Sequence, residues 1–107
     1  MSNDITVEEL NKRLEAGEKI VLLDVREPFE HEMVNIEGIL IPLGELPDRV
    51  HELEDYKEKE IIVYCRSGAR SAEGVSILKK AGFQNPRNMT GGINTWAMKI
   101  DPSMPLY

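Results

Sequence analysis

The chain has 107 residues, of which 41% are hydrophobic and 30% are charged, and its formal net charge at pH 7 is −6. This length suits a single domain over residues 1–107 with one core, and no apolar run approaches the roughly 20 residues that a membrane-spanning helix needs. The negative charge argues against nucleic acid or an anionic membrane surface as the main partner, because both attract basic faces.

The first ten residues and the cysteine content predict where the protein works and which sites it lacks. The sequence MSNDITVEEL has neither the basic start nor the apolar block of a secretory signal, so a cytoplasmic location is expected. Cys65 is the only cysteine, which excludes a disulfide within the chain. Together with two distant histidines, His31 and His51, it does not give the spacing of a metal site, and no metal or other cofactor is expected. Both histidines are predicted to lie on helix surfaces.

Helix-like and strand-like patterns alternate along the chain, which is typical of α/β architecture. Thr6 and Glu9 form a capping-box pattern at the start of the first helix, and the apolar run 20–23 predicts a central parallel strand that is buried on both faces. The predicted elements, in chain order, are a short strand at Ile5, a helix over 6–16, a strand over 20–24, a short helix over 28–33, a strand over 39–41, a helix over 44–53, a strand over 61–64, a helix over 71–81, a short strand at Met89, a helix over 93–98 and a surface tail over 101–107. Such an order predicts one parallel sheet of about five strands flanked by helices.

The stretch YCRSGAR, residues 64–70, places the thiol at the end of a predicted strand and before a predicted helix. Ligands of open α/β sheets bind beyond the carboxyl ends of the strands, where Cys65 falls. A helix N-terminus, amide groups turned inward at Gly68, and the cations Arg66 and Arg70 all favour a thiolate. The stretch therefore predicts a nucleophilic Cys65 that acts on an anionic substrate, whose oxygens the two arginines would bind.

Several of these residues could instead have a purely structural role. A single cysteine at a strand end is often an inert, buried small hydrophobe, and only its neighbours favour the reactive interpretation here. Ser67 could donate a hydrogen bond to the substrate or serve as a turn residue or helix cap. Asp24 and Arg26 lie at the same predicted edge of the sheet, where a charged pair more often ties loops together, so we assign them a supporting role.

Three segments of the chain resemble the single-domain rhodanese family of thiosulfate sulfurtransferases. They are DVREP at 24–28, CRSGAR at 65–70, and Gly91-Gly92 followed by Trp96. The resemblance covers nearly the whole chain, and its loop at 65–70 is the most specific segment, whereas the Gly-Gly and Trp segment is more typical of packing. It implies a rhodanese-like fold with a five-stranded parallel sheet. It also implies a cysteine that takes a sulfane sulfur from thiosulfate or a similar persulfide donor and passes it to cyanide, a thiol or an acceptor protein.

The resemblance also implies a role for each loop residue. Cys65 would be the nucleophile and persulfide carrier, the two arginines would bind the sulfonate oxygens, and the backbone of the loop would cradle the terminal sulfur. That loop backbone consists of Arg66, Ser67, Gly68, Ala69 and Arg70. One segment departs from the family: a GHIPGA-like stretch before the third strand is here VNIEGI, residues 34–39, which leaves open whether substrate preference is altered.

Two other functions compete with sulfur transfer. A cysteine-dependent phosphatase or arsenate reductase on a related scaffold also uses a thiolate and an arginine, but those enzymes have five residues between the two, and Cys65 and Arg70 have four between them. The shorter loop favours a cradle for a single sulfur atom. A non-catalytic partner-binding rhodanese module is the second alternative, and the acidic surface would suit a basic partner.

Overall fold

The computed structural model describes residues 4–107, so residues 1–3, the start of the stretch inspected for a secretory signal, lie outside the described range. Helices and strands alternate in the predicted order. They are α1 (Val7–Glu15), β1 (Val21–Asp24), α2 (Pro28–Met33), β2 (Ile39–Leu40), α3 (Leu46–Arg49), β3 (Glu60–Tyr64), α4 (Ala69–Lys80), β4 (Asn85–Asn88) and α5 (Gly92–Lys99). Within residues 4–107, no helix is long and apolar enough to cross a bilayer.

The strands form one parallel sheet in the order β2-β1-β3-β4, which confirms the α/β prediction. The predicted count of about five strands is wrong, because four strands form within residues 4–107. Ile5, predicted as a strand, makes only an isolated parallel bridge with Met89. The Thr6 hydroxyl caps α1 by accepting the Glu9 N–H at 3.1 Å, so the chain turns into a helix before a second bridge can form.

The helix predicted over 44–53 is also wrong as one continuous α-helix. The four-residue α3 is preceded by a 3-10 turn at Leu43–Glu45 and followed by another at Val50–Tyr56. Pro47 has no N–H to donate to the carbonyl four residues earlier, which prevents an α-helix from running through this point. The inward-facing Leu46 and Leu53 are nevertheless fully buried, so the core contacts of the segment are kept.

β3 runs through the middle of the core, and its alternate residues enter two apolar clusters on opposite faces of the sheet. Ile61 and Val63 pack in the cluster beneath α3 and α4, and Ile62 and Tyr64 pack in the cluster beneath α1 and α5. All four side chains are buried, which is typical of a central parallel strand. Each aliphatic side chain buried in this way contributes about 1.5–3 kcal/mol. The sequence predicted such burial for the run 20–23, but in β1 only Leu23 and Asp24 are buried, and Val21 and Leu22 are partly exposed. Trp96 of α5 packs in the second cluster.

The parallel arrangement brings three strand ends to one edge of the sheet. Asp24, Tyr64 and Asn88 end β1, β3 and β4, and the register places Asp24 opposite Tyr64 and Val63 opposite Asn88. The segments that follow these three strands therefore meet beyond this edge, where α/β sheets bind their ligands.

Candidate active site

Cys65 directly follows β3, and its side chain is buried beside the N-terminus of α4. Its Sγ accepts the Gly68 N–H at 3.1 Å and the Ser71 N–H at 3.4 Å. Gly68 is the N-cap of α4 with φ 112°, a left-handed conformation that favours glycine and turns its amide toward the sulfur. α4 begins at Ala69, two residues earlier than predicted, so the Ser71 amide belongs to its first turn. The loop thus presents helix N-terminal amides to the sulfur.

These contacts favour the thiolate. Burial by itself raises the pKa of the Cys65 thiol, but hydrogen bonds from the Ser71 hydroxyl and from the amides of Ser71, Gly68 and Ser67 outweigh burial, and the pKa lies below its ordinary value. The positive end of the α4 dipole acts in the same direction. The loop therefore supplies the activation that a thiol nucleophile needs near neutral pH.

The Ser71 hydroxyl has one proton and two possible acceptors. It donates to Asn88 Oδ1 at 2.6 Å, while Asn88 Nδ2 donates to the Gly68 carbonyl at 3.1 Å and so fixes which end of the amide faces Ser71. Ser71 Oγ also lies 3.3 Å from Cys65 Sγ. While the thiol is protonated, its S–H can donate to Ser71 Oγ. After ionisation, the hydroxyl must turn from Asn88 to donate to the sulfur, so its orientation follows the charge of Cys65.

We expect Ser71→Ala to make the thiol less acidic, because the thiolate loses a hydroxyl donor. The pH profile of Cys65 alkylation by iodoacetamide should move to higher pH, and on the rising part of the parent chain's profile the rate constant should fall by about tenfold, the usual effect of one hydrogen bond to a charged group. Ser76→Ala, an exposed position on the same helix, is the control. A Ser71→Ala profile identical to that of the parent chain would contradict this role.

The Gly91-Gly92 segment fixes the backbone of the loop from the other side. At the start of α5, the Ile93 N–H donates to the Cys65 carbonyl at 2.8 Å, and the Asn94 N–H donates to the Arg66 carbonyl at 3.1 Å. Gly92 has φ 66°, and a Cβ at this position would lie 2.3 Å from the Arg66 carbonyl oxygen. Only glycine allows this close approach, so the segment positions the loop.

Asp24 and Arg26 form a buried ion pair behind the loop, and both side chains are 0% exposed. Arg26 Nε donates to Asp24 Oδ1 at 2.9 Å and Nη2 to Oδ2 at 2.8 Å, and Nη2 also donates to the Val34 carbonyl. His31, predicted to lie on a helix surface, is half-buried instead, because α2 carries its Nδ1 to 2.8 Å from Asp24 Oδ2. His51 is exposed, as predicted.

Arg70 forms a two-pronged ion pair with Glu30 of α2. Its Nη1 and Nη2 donate to Oε1 and Oε2 at 2.7 and 2.8 Å. The hydrogen bonds from Arg70 are the main cause that lowers the pKa of Glu30 to about 2, against the opposing effect of burial. The stability that Glu30 contributes is therefore complete above its ordinary pKa of 4.5 and is lost only as the pH falls toward 2. Glu30 engages two N–H bonds of Arg70, which leaves three of the five for a ligand.

Arg66 is the arginine without a carboxylate partner among residues 4–107, where the other five all form ion pairs. Its exposed side chain places Cζ 5.1 Å from the centroid of the Tyr107 ring. The Tyr107 hydroxyl accepts from Arg26 Nη1 at 2.7 Å and donates to Glu30 Oε2 at 2.8 Å. The tail 101–107 thus reaches the loop, whereas the sequence predicted only that it covers the surface.

The structure brings the predicted residues together at one edge of the sheet. Ser67 and Ala69 are exposed, and Asp24 and Arg26 lie behind the loop. Sequence reasoning missed four residues that build the site: Glu30, Ser71, Asn88 and Tyr107. Ser71 could have been found, since it follows CRSGAR at the start of a predicted helix. Among residues 4–107, no group of three His, Cys, Asp or Glu side chains could hold a metal ion.

Comparison with known proteins assigns the family. Residues 6–99 match the family model described as a rhodanese-like domain. The chain belongs to the rhodanese-like domain family. Relatives of this rhodanese-like chain include sulfurtransferases: it is 36% identical over 98 residues to a sulfurtransferase of Allochromatium vinosum, covering 91% of this chain and 90% of that one.

Other matches to this rhodanese-like chain are larger proteins or solved structures. It is 38% identical to the probable adenylyltransferase/sulfurtransferase MoeZ of Mycobacterium tuberculosis over 96% of its own length, but spans only 26% of that protein. The crystal structure of a rhodanese-like domain protein from Staphylococcus aureus superposes with a TM-score of 0.79 at 28% identity, covering 100% of this chain and 99% of the other. These likenesses confirm the rhodanese-like fold.

Proposed function

We propose that this rhodanese-like chain is a sulfurtransferase that carries a sulfane sulfur as a persulfide on Cys65. The observation that carries the proposal is the hydrogen bonding of Cys65 Sγ by the amides of Gly68 and Ser71 at the start of α4. These donors stabilise a thiolate, and four residues between Cys65 and Arg70 form a loop suited to one added sulfur atom. The sulfurtransferase of Allochromatium vinosum, similar over nearly its whole length, supports the same activity.

Transfer requires no external oxidant or reductant. The Cys65 thiolate attacks the outer sulfur of thiosulfate, a bond forms between Sγ and that sulfur, and the bond to the sulfonate sulfur breaks, with sulfite leaving with the electron pair. The acceptor, such as cyanide or a thiolate, then attacks the terminal sulfur, and the thiolate of Cys65 leaves with the electrons of the S–S bond. Cyanide becomes thiocyanate, and the enzyme returns to its starting state.

The arginines and the backbone of the loop have separate roles in binding the substrate. We assign the sulfonate oxygens to Arg66, which lacks a carboxylate partner among residues 4–107, and to the N–H bonds of Arg70 that Glu30 leaves free. The backbone from Arg66 to Arg70 would cradle the terminal sulfur, because it passes from Cys65 into the start of α4 and its Gly68 amide already donates to Sγ.

The extent of the domain, its location and its sulfur acceptor are also proposals. We propose that residues 1–107 act as one domain in the cytoplasm and that an acceptor protein takes the sulfur in the cell. The names of larger relatives are compatible with this: MoeZ is a probable adenylyltransferase/sulfurtransferase, and a relative in Bacillus subtilis, 35% identical over 99 residues, is a putative sulfur carrier protein. Arg66, without a carboxylate partner among residues 4–107, suits a small anionic donor, and the acidic overall charge suits a basic protein acceptor.

Intact-mass spectrometry tests the proposal directly. After incubation with thiosulfate and desalting, the protein should gain the mass of one sulfur atom, and cyanide should remove it with release of thiocyanate. Prior alkylation of Cys65 with iodoacetamide should prevent the gain. Hydrolysis of a phosphotyrosine analogue without any gain in mass would instead favour the phosphatase alternative, and inactivity toward both substrates would favour a partner-binding module.

A further inference from the structure

Tyr107 lies between the two arginines of the active-site loop. Its ring contacts Arg66 directly, and its hydroxyl reaches Arg70 through Glu30, to which it donates at 2.8 Å while Arg70 binds the same carboxylate. Tyr107 is thus linked to both arginines that we assign to an incoming anion.

Both the hydroxyl and the ring of Tyr107 are held by contacts with the fold. Arg26, fully buried and bound to Asp24, donates to the Tyr107 hydroxyl at 2.7 Å, and its Cζ lies 5.8 Å from the centroid of the ring. The ring also packs against the apolar cluster beneath α1 and α5, as does Met104 of the same tail. A hydroxyl that accepts from one charged group and donates to another has little freedom to rotate. The ring is therefore a rigid platform.

Arg66 is the side chain that needs such a platform. It is exposed and has no carboxylate partner among residues 4–107, so an unsupported guanidinium would sample many rotamers. Stacking on an aromatic face orients the guanidinium while leaving its N–H edges free for an oxyanion. A carboxylate partner would occupy those edges and cancel the charge. The aromatic contact orients Arg66 without neutralising it.

We propose that Tyr107 is a positioning residue that holds Arg66 beside the Cys65 loop, ready to bind the anionic end of an incoming substrate. The proposal rests on the proposed function only for the identity of that anion as the sulfonate of thiosulfate. Because the ring pre-orders Arg66, the substrate does not have to immobilise that side chain on binding. The ring is the part of Tyr107 that acts on Arg66, and the hydroxyl anchors the ring to Arg26 and Glu30.

Two alkylating reagents separate this role from sulfur transfer. Iodoacetate and iodoacetamide have the same leaving group and nearly the same shape, but iodoacetate is anionic and iodoacetamide is neutral. Both react with the thiolate, so any change in thiolate fraction cancels in the ratio of the iodoacetate rate constant to the iodoacetamide rate constant. This ratio therefore reports how strongly the surroundings of Cys65 attract an anion. The ratio should fall about three- to fivefold in Arg66→Met and about two- to threefold in Tyr107→Ala, as expected for one partly screened charge.

Variants of Tyr107 test whether its aromatic ring changes the alkylation ratio by acting through Arg66. Tyr107→Phe keeps the aromatic face and should leave the ratio at the value of the parent chain, whereas Tyr107→Leu, which preserves apolar packing if the alanine variant unfolds, should lower it as Tyr107→Ala does. In Arg66→Met/Tyr107→Ala the ratio should fall no further than in Arg66→Met alone, because Tyr107 acts through Arg66. Leu106→Ala, an exposed neighbour in the same tail, is the matched control.

The outcomes are distinct. An unchanged ratio in both Tyr107→Ala and Tyr107→Leu, or effects of Arg66 and Tyr107 that add in the double variant, would overturn the proposal. In a chain that transfers sulfur, Tyr107→Ala should also raise KM for thiosulfate by about three- to tenfold with a smaller change in kcat. If the chain gains no sulfur from thiosulfate and the alkylation ratios still change as expected, the proposed function fails and the role of Tyr107 stands.

Discussion

Cys65→Ser is expected to reduce thiosulfate:cyanide sulfur transfer by about a thousandfold or more, to the rate of the reaction without protein. The serine hydroxyl is not ionised near pH 7 and cannot form a persulfide. The amides of Gly68 and Ser71, which now donate to Sγ, would surround a neutral oxygen instead of a thiolate. Thiocyanate formation, followed by its coloured iron complex, measures the loss.

The controls for Cys65→Ser separate chemistry from folding. The variant should show the far-UV circular dichroism and the unfolding temperature of the parent chain within a few degrees, because oxygen replaces sulfur with little change in packing. It should also gain no sulfur in the intact-mass experiment. Retention of sulfur transfer by Cys65→Ser would show that Cys65 is not the sulfur carrier.

Arg26→Met is expected to destabilise the fold by about 3–5 kcal/mol, the usual result of removing one partner from a buried ion pair. Asp24 is 0% exposed, and in the variant its carboxylate would keep His31 but lose both hydrogen bonds from the guanidinium. The Val34 carbonyl and the Tyr107 hydroxyl would lose a donor as well. Urea unfolding followed by circular dichroism gives the free energy of unfolding.

Two comparisons show whether the buried position causes the loss. Arg49→Met removes an arginine whose ion pairs with Glu45 and Glu52 are on the surface, and should cost less than about 1 kcal/mol. Asp24→Leu/Arg26→Met removes both charges, and its destabilisation should fall well below the sum of the two single variants. A cost of Arg26→Met no larger than that of Arg49→Met would mean that the buried pair contributes no more than a surface one.

Local patterns in the sequence predicted the main elements. The apolar run before Cys65 predicted a strand, and β3 forms there with buried side chains from Ile61 to Tyr64. Thr6 and Glu9 predicted the start of α1, and the hydroxyl of Thr6 accepts the Glu9 amide. These predictions succeed because strand alternation and helix capping depend on residues within a few positions of one another.

Errors arose where the outcome depends on how far a local pattern extends. Ile5 and Met89 were each predicted to lie in a short strand, but they form only an isolated bridge with each other, and the cap at Thr6 ends the pairing. The helix predicted over 44–53 has the correct buried leucines but divides at Pro47 and beyond Arg49. In each case two local preferences compete, and their balance depends on the surrounding packing.

The sequence by itself determined that the chain alternates strands and helices and that its single thiol lies in a basic loop between β3 and α4, because both properties are written in neighbouring residues. Only the tertiary structure decided which charges meet. Glu30 pairs with Arg70 across 40 positions, and Tyr107 binds Arg26 across 81. With 19 acidic residues available to six arginines, no spacing rule selects these partners. The packing of α2 and of the tail against one edge of the sheet selects them, and among residues 4–107 it leaves Arg66 without a carboxylate partner.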